Sequence, residues 1–265
     1  MPMPNPKVSV VQYLNTAPLI WGMLKGEQQG KYDLEFTTPA ACADAIHQRR
    51  ADVGIVPSIE YQRMDKAQII AGISIASKSA VRSVLLLCNK PIEKVQTIAV
   101  DNSSRTSAAL LRILLRKFYS RFVTISPAPP RPDAMLKRAD AALVIGDPAL
   151  TFSGKAAAVL DLAEEWKKFT GLPFVFAVWA GHEDAVLSRF RKDFEQSRDY
   201  GLAHLDEIAA EYAPKLKMTP EAVKVYLTEN IDYSLDEDNR KGLREFYKLA
   251  REAGIIPVER ELLFA

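Results

Sequence analysis

The chain has 265 residues, 48% of them hydrophobic and 26% charged, which suits a globular protein with one large domain or two lobes. Its formal net charge of +2 gives no electrostatic basis for binding nucleic acid or an anionic membrane surface. We expect no signal peptide and no membrane span, and Cys42 and Cys88 fit no metal or redox spacing, so a reduced, cytoplasmic protein is expected.

The first half of the chain alternates short apolar runs with helical patterns. Strands are predicted at residues 8–11, 32–37, 52–56, 69–75, 83–88 and 97–100. Helices are predicted at 18–27, 39–50 and 104–118, and Ser58 is a candidate cap for a short helix that carries Ile59. The helix at 104–118 is the clearest, because its leucines and Phe118 recur with the spacing of one buried face.

The second half continues the same alternation and then changes character. Strands are predicted at 122–125, 141–145 and 174–179, with a helix at 132–138 between the first two. From residue 183 onward the pattern is almost entirely helical, with a break near 217–220. Strands that alternate with helices predict a mostly parallel α/β architecture.

Two segments of the chain resemble each other. RRADVGIV at 49–56 is echoed by KRADAALVIG at 137–146, and each follows a strand that runs into a polar helix start. Two similar α/β units predict two lobes that face each other across a cleft. The alternative is that Arg-Ala-Asp ends a helix twice by chance.

Uncharged polar residues follow several predicted strands. Asn15 and Thr16 stand between the first strand and Pro18, where they are candidates either for a helix cap or for a ligand site at a strand end. The run from Ser103 to Ser107 opens the clearest helix, whose exposed N–H groups favour a carboxylate or phosphate. Capping by one of the first two serines of this run is the alternative.

Other kinds of catalytic site find little support. No Gly-rich phosphate loop or nucleophile elbow is visible, and the three histidines lie apart from any side chains at metal-ligand spacing. Asp147 is the one carboxylate at a predicted strand end, and we interpret it as a cap for the following short helix, with a base or a structural acceptor as alternatives. Two hypotheses remain, a small-anion binding protein with a two-lobed cleft and an enzyme that uses the same cleft.

Six segments carry a resemblance to a known family. QYLNTAPL, VPSIEY, VRSVLL, NSSRTSAALLRILL, IGDPAL and DLAEEWKKFTGLPFVFAVW together resemble chorismate dehydratase, the first enzyme of the futalosine route to menaquinone. The matches run from Val8 to Trp179 in the expected order. A sister enzyme that acts on cyclic dehypoxanthine futalosine shares the fold but lacks the Tyr-Leu-Asn-Thr opening. Ala163 departs from the family, which often has Gly there.

The resemblance implies a type-2 periplasmic-binding-protein-like fold of the α/β class with an interlobe cleft. The first lobe would contain residues 1–85 and 179–265, including the C-terminal helices, and the second residues 86–178, with crossovers at 83–88 and 174–179. The implied reaction removes water from chorismate to give 3-[(1-carboxyvinyl)oxy]benzoate without a metal or organic cofactor. The substrate's own enolpyruvyl carboxylate would then take the proton.

These expectations assign Asn15 as the catalytic residue, a hydrogen-bond partner of the substrate near the departing hydroxyl. The residues expected to bind substrate are Thr16, Ser58, Ser83, Ser104, Thr106, Ser107 and Asp147. A small-carboxylate binding protein and the sister enzyme remain the alternatives. The expected partner is chorismate, and the sequence does not predict an oligomeric state.

Overall fold

The computed structural model describes residues 4–185 and 187–265, which form two β-sheets with helices packed around them. The first sheet has the strand order β11-β4-β10-β3-β1-β2. Its strands are β1 Lys7–Val11, β2 Asp33–Thr37, β3 Val53–Pro57, β4 Ala67–Ser77, β10 Phe174–His182 and β11 Asp232–Leu235. The second sheet has the order β7-β6-β8-β5-β9. Its strands are β5 Val84–Cys88, β6 Thr97–Asp101, β7 Thr124–Ala128, β8 Ala141–Ile145 and β9 Ala158–Asp161.

The helices between β1 and β10 connect strands, and the longest ones lie in the C-terminal part of the chain. The first seven are α1 Ala17–Lys25, α2 Pro39–His47, α3 Ser58–Tyr61, α4 Arg105–Ile113, α5 Pro132–Leu136, α6 Asp147–Leu150 and α7 Leu162–Thr170. The C-terminal ones are α8 Ser188–Ala203, α9 Leu205–Leu216, α10 Pro220–Val225 and α11 Glu237–Glu252. A 3₁₀ turn, Leu14–Thr16, precedes α1, and π-helical turns extend α4 and α10 over Leu114–Phe118 and Tyr226–Asn230.

Each sheet contains the same β-α-β-α-β unit. β1 pairs in parallel with β2 and β3, and β6 pairs in parallel with β7 and β8. The aspartates of the two Arg-Ala-Asp segments also accept equivalent hydrogen bonds from backbone N–H groups. Asp52 Oδ2 accepts a hydrogen bond from Lys7 N at 2.8 Å, and Asp140 Oδ2 accepts from Gln96 N at 2.8 Å and Thr97 N at 3.1 Å. Each carboxylate fixes the start of the middle strand, so the sequence echo corresponds to a structural repeat.

The sheets are mixed, so the prediction of a mostly parallel architecture is wrong. β10 runs antiparallel to β3 and β4, and β5 runs antiparallel to β8 and β9. Along the chain, β10 follows elements of the second sheet's half, and β5 follows a strand of the first sheet. Neither strand is therefore joined to its neighbours by a crossover helix, and antiparallel pairing needs none. The strand β11 within the tail and the pair β9–α7 were not predicted.

The chain changes sheets in the segments 78–83 and 162–173. β10 pairs within the first sheet along its whole length, so residues 174–178, expected in the second lobe, belong with the first sheet. By the same criterion Val84 and Leu85, expected in the first lobe, belong with the second sheet. Otherwise the lobe bounds of 1–85 with 179–265 and 86–178 stay a prediction.

The C-terminal helices pack on the first sheet's side of the molecule. Ser197 of α8 donates from Oγ to Leu19 O at 2.9 Å and accepts from Met23 N at 3.1 Å, which fixes α8 against α1. In α11, Tyr247 donates to Ser58 O at 2.6 Å, beneath the end of β3. None of the helices in the described part of the chain combines the length and apolar character needed to cross a bilayer.

Candidate active site

A cavity of about 70 Å³ lies between the two sheets, at the carboxyl ends of the middle strands β1 and β6. Strand ends of this kind are where α/β proteins bind ligands. Both halves of the molecule contribute to its walls. Its apolar lining comes from Val11, Ile75, Val84, Ile145 and Phe176.

Five of the residues expected in the site meet at this cavity. They are Asn15, Ser83, Ser104, Thr106 and Ser107. Asn15 belongs to the 3₁₀ turn after β1, and Ser83 precedes β5. Ser104 is the N-cap of α4, and Thr106 and Ser107 lie in its first turn. The four hydroxyl-bearing residues are at least 95% buried, so they offer neutral donors in a largely apolar surrounding, and Arg105 also lines the cavity.

The helix starts around the cavity are not capped as the sequence analysis anticipated. Thr16 occupies the N-cap position of α1, and Ser104 that of α4, without a side-chain hydrogen bond to the helix. Ser58 and Asp147 likewise do not cap α3 and α6. Ser104 Oγ is buried, lines the cavity and has no hydrogen-bond partner among the described residues. Because an unpaired buried hydroxyl is costly, a polar ligand here would be stabilising.

Thr16, Ser58 and Asp147 lie behind the cavity wall rather than in it. Thr16 is fully buried, and its hydroxyl donates to Asn15 Oδ1 at 3.4 Å. Ser58 is also fully buried and donates to Val175 O at 2.8 Å. Their contacts support the residues of the lining, and direct binding of a ligand by these three residues stays a prediction.

Asp147 holds the turn that carries Asn15. Its Oδ1 accepts a hydrogen bond from Leu14 N at 3.0 Å, which links the second sheet's half to the first. Burial raises the pKa of Asp147 to about 6, and the hydrogen bond from Leu14 offsets only part of that rise. The folded protein therefore binds this proton more tightly than the unfolded chain does.

Replacing Asp147 by asparagine is expected to make the protein relatively more stable at alkaline pH. The raised pKa gives a contribution to stability that is complete below the ordinary value near 4 and is lost as the pH rises through about 6. The asparagine side chain keeps an acceptor for Leu14 N and does not titrate. Urea unfolding measures this effect. The unfolding free energy of the variant minus that of the wild type should be about 1 kcal/mol higher at pH 8 than at pH 5.

Asp140→Asn is the matched control. The hydrogen bond from Lys90 and those from the backbone of Gln96 and Thr97 lower the pKa of Asp140 to about 2, so its stabilisation is present throughout this range and is lost only in acid. This variant should be less stable than the wild type by the same amount at pH 5 and pH 8. A pH-independent difference for Asp147→Asn as well would contradict the raised pKa.

A second polar cluster lies at the same cavity, and of its members the sequence analysis singled out Ser103 but neither Tyr13 nor Asp101. Tyr13 and Ser103 both line it, and Ser103 Oγ donates to Asp101 Oδ1 at 2.7 Å. Asp101 is 1% exposed, and its other oxygen has no partner among the described residues. Burial raises the pKa of Tyr13 to about 12, partly offset by its hydrogen bond with Ser103, so this phenol stays neutral.

The signals for this cluster were present in the sequence. The predicted strand ended at Val100, one residue short of Asp101, which is the last residue of β6. Asp147 is therefore not the one carboxylate at a strand end. Gly146 adopts a φ of +63°, and a Cβ at this position would lie 2.6 Å from the ring of Tyr13. Only glycine allows this close approach.

The first turn of α4 also joins the two halves of the molecule. Thr106 Oγ1 accepts a hydrogen bond from Ile59 N at 3.1 Å. Arg105 donates to Glu60 Oε2 at 2.9 Å and to Asp44 Oδ1 at 2.7 Å. The hydroxyl of Thr106 is thus already engaged with α3, whereas that of Ser104 is unpaired.

The arrangement is suited to an anionic ligand that carries polar oxygen atoms. The start of α4 offers backbone N–H groups and the positive end of the helix dipole. Asn15 and Ser83 add an amide and a hydroxyl from the other walls. Within residues 4–185 and 187–265, no group of three or more His, Cys, Asp or Glu side chains is placed to hold a metal ion.

Comparison with known proteins gives related sequences over nearly the whole chain. A family model described as menaquinone biosynthesis matches residues 6–252. A chorismate dehydratase of Thermus thermophilus is 28% identical over 262 residues, which cover 89% of this chain and 91% of the relative. A chorismate dehydratase of Campylobacter jejuni is 26% identical over 247 residues, which cover 91% of this chain and 96% of the relative.

Solved structures give the same fold at lower identity. A protein of Archaeoglobus fulgidus superposes with a TM-score of 0.77 and 19% identity, covering 95% of this chain and 98% of that one. The periplasmic aliphatic sulphonate binding protein of Escherichia coli superposes with a TM-score of 0.65 and 15% identity, covering 97% of this chain and 95% of that one. The expected periplasmic-binding-protein-like fold is therefore confirmed, and its two α/β sheets are mixed rather than mostly parallel.

Proposed function

The chain belongs to the menaquinone biosynthesis family, and from that membership we propose that it is a hydro-lyase that converts chorismate to 3-[(1-carboxyvinyl)oxy]benzoate. The observation that carries the proposal is the meeting of Asn15, Ser83 and the first turn of α4 at one cavity between the sheets. We further propose that the reaction belongs to the futalosine pathway and takes place in the cytoplasm.

The chemistry of the cavity suits the charge of this substrate. Chorismate carries two carboxylates, and the N-terminal turn of α4 supplies N–H groups and the hydroxyl of Ser104 for one of them. None of the described aspartates and glutamates is part of the lining, so a dianion meets no facing negative charge. Asp147 and Asp101 lie behind the wall, where burial raises the pKa of each.

The reaction itself needs little from the protein beyond position and polarity. The C3–H and C4–O bonds of the ring break, a ring double bond forms, and one molecule of water leaves. The C3 proton is vinylogous to the ring carboxylate, and the loss of water makes the ring aromatic. Because so much driving force lies in the substrate, holding it in a reactive geometry and stabilising the charge that develops are sufficient roles for the site.

Asn15 and Ser83 are the side chains proposed to act on the leaving oxygen. Both line the same cavity as the start of α4, and we propose that a ring whose carboxylate sits on α4 directs its hydroxyl to them. Hydrogen bonds donated to that oxygen stabilise the negative charge that it gains as the C4–O bond breaks. The substrate's own enolpyruvyl carboxylate takes the C3 proton in this proposal.

The test is to incubate the purified protein with chorismate in the presence of a chelator and to follow the aromatic enol ether by chromatography. We expect one molecule of product for each chorismate consumed, without added metal or nucleotide. Binding of chorismate without turnover would contradict the proposal in favour of a small-carboxylate binding protein. Turnover of cyclic dehypoxanthine futalosine in place of chorismate would contradict it in favour of the sister enzyme.

A further inference from the structure

A buried tyrosine from the C-terminal part of the chain lies behind both Asn15 and Ser83. Tyr226 is the first residue of the π-helical turn after α10 and is 1% exposed. Its hydroxyl donates a hydrogen bond to Ser83 Oγ at 2.8 Å, and the side chain of Asn15 lies close enough to hydrogen-bond the same hydroxyl. No motif in the sequence pointed to this residue.

We propose that Tyr226 is a positioning residue that orients the Ser83 hydroxyl and the Asn15 amide as hydrogen-bond donors toward the substrate. The inference rests on the proposed function, because it concerns the same two side chains. Tyr226 itself does not line the cavity and acts through them.

The first hydrogen bond runs from the phenol to the serine, which leaves the proton of Ser83 available. A phenol has a single proton, and here it is donated to Ser83 Oγ. Ser83 therefore does not need its own proton for Tyr226 and can donate it into the cavity. Burial raises the pKa of Tyr226 far above its ordinary value, so the phenol keeps the proton on which this direction depends.

The second hydrogen bond fixes the amide of Asn15. Asn15 Oδ1 accepts from the hydroxyl of Thr16 at 3.4 Å. The hydrogen bond between Asn15 and Tyr226 acts to lower the pKa of the phenol, as a bond donated by the amide nitrogen to the phenol oxygen does. An amide nitrogen carries two protons, so one serves Tyr226 and the other remains for a ligand. The buried hydroxyl of Tyr226 thus orients two side chains from different parts of the chain, Ser83 and Asn15, and each keeps a proton to donate to a ligand in the cavity.

Preorganised donors of this kind act mainly on the chemical step. They lower the barrier because they need not rotate when charge develops on the leaving oxygen. Removal of the Tyr226 hydroxyl should therefore reduce kcat while the affinity for chorismate, set by the start of α4, is preserved.

The experiment compares Tyr226→Phe with Tyr233→Phe. Tyr233, on β11, is also buried, at 5% exposure, but its hydroxyl has no hydrogen-bond partner among the described residues. Both variants lose one buried hydroxyl and keep the ring. We expect Tyr226→Phe to lower kcat about 10- to 100-fold with KM changed less than about twofold, and Tyr233→Phe to retain wild-type kcat.

A double-mutant cycle with Ser83→Ala tests whether Tyr226 acts through Ser83. Once the serine hydroxyl is absent, Tyr226→Phe should lower kcat further by no more than about threefold, through Asn15 alone. Melting temperatures of all four proteins report whether a variant loses activity because it loses its fold.

Three outcomes overturn the inference. These are wild-type kcat in Tyr226→Phe, equal losses in Tyr226→Phe and Tyr233→Phe, or a full multiplicative loss in the double variant. They all require an active wild type, so they differ from the failure of the proposed function, in which the wild type itself does not turn over chorismate and both proposals fall.

Discussion

Replacing Asn15 by alanine is expected to lower kcat for chorismate by about 10²–10³-fold, a loss of about 2.7–4 kcal/mol of transition-state stabilisation. The fold should be little affected, because Asn15 is half-buried and does not cap α1. Its hydrogen bond with Thr16 is long, at 3.4 Å. Asn15→Asp should also be harmful, since it places a negative charge beside a dianionic substrate. Steady-state kinetics and urea unfolding measure the two effects separately.

Asn89→Ala provides the converse control. Asn89 Nδ2 donates to Leu136 O at 2.7 Å and to Ala139 O at 3.1 Å, on an exposed side of the second sheet away from the cavity. Its replacement should lower the free energy of unfolding by about 1 kcal/mol and leave kcat unchanged. If Asn15→Ala instead behaved like Asn89→Ala, with activity retained, Asn15 would be a residue of the local turn and not of the reaction.

The parts of the fold that could be predicted are those whose signals are local. The middle strands and the equivalent strands β3 and β8 are short apolar runs and were located within one residue of their observed bounds. The two Arg-Ala-Asp segments also predicted a repeat, because each aspartate holds the start of a strand only about 45 residues away. Five of the eight predicted site residues line the cavity for the same reason, since they lie within a few residues of a strand end.

The parts that could not be predicted depend on contacts between distant segments. Asp147 and Ser58 looked like helix caps, but their side chains bond to Leu14 N and Val175 O, more than 100 residues away in sequence. Tyr226 lies in a helical region that offered no pattern to connect it with Ser83. The helix α7 is different, because Asp161 caps it and Gly171 ends it at a φ of +73°, and both residues are recognisable helix boundaries in the sequence.

Replacing Glu60 by glutamine is expected to cause the largest loss of stability among the substitutions considered, about 3 kcal/mol. Glu60 is 2% exposed, and its carboxylate forms ion pairs with Arg105 at 2.9 Å and with Arg63 at 2.6 Å. The ring of His47 lies 2.9 Å from its Oε2. A neutral amide in its place leaves the charge of Arg105 without its buried partner at the interface between α3 and α4. The lower end of the range measured for broken buried pairs applies, because both arginines are partly exposed.

The loss should depend on pH in a defined direction. Burial acts to raise the pKa of Glu60, but the hydrogen bond with His47 and the charges of Arg105 and Arg63 outweigh it and hold the pKa below its ordinary value. A lowered carboxyl pKa gives stability that is present above the ordinary value near 4.5 and is lost as the pH falls. The difference in unfolding free energy between wild type and Glu60→Gln should therefore be present at pH 6 and shrink as the pH falls below about 4.5.

Asp44→Asn separates the buried ion pair from the exposed one. Asp44 accepts from the same guanidinium of Arg105 at 2.7 Å, but its side chain is 44% exposed. Solvent therefore screens this pair, and its loss should cost less than about 1 kcal/mol. Equal destabilisation by the two substitutions would mean that burial does not set the strength of the ion pairs that Arg105 makes with α2 and α3. A larger effect on KM for chorismate in Glu60→Gln is the expected consequence for function, because Arg105 holds the turn of α4 on which Ser104 and Thr106 lie.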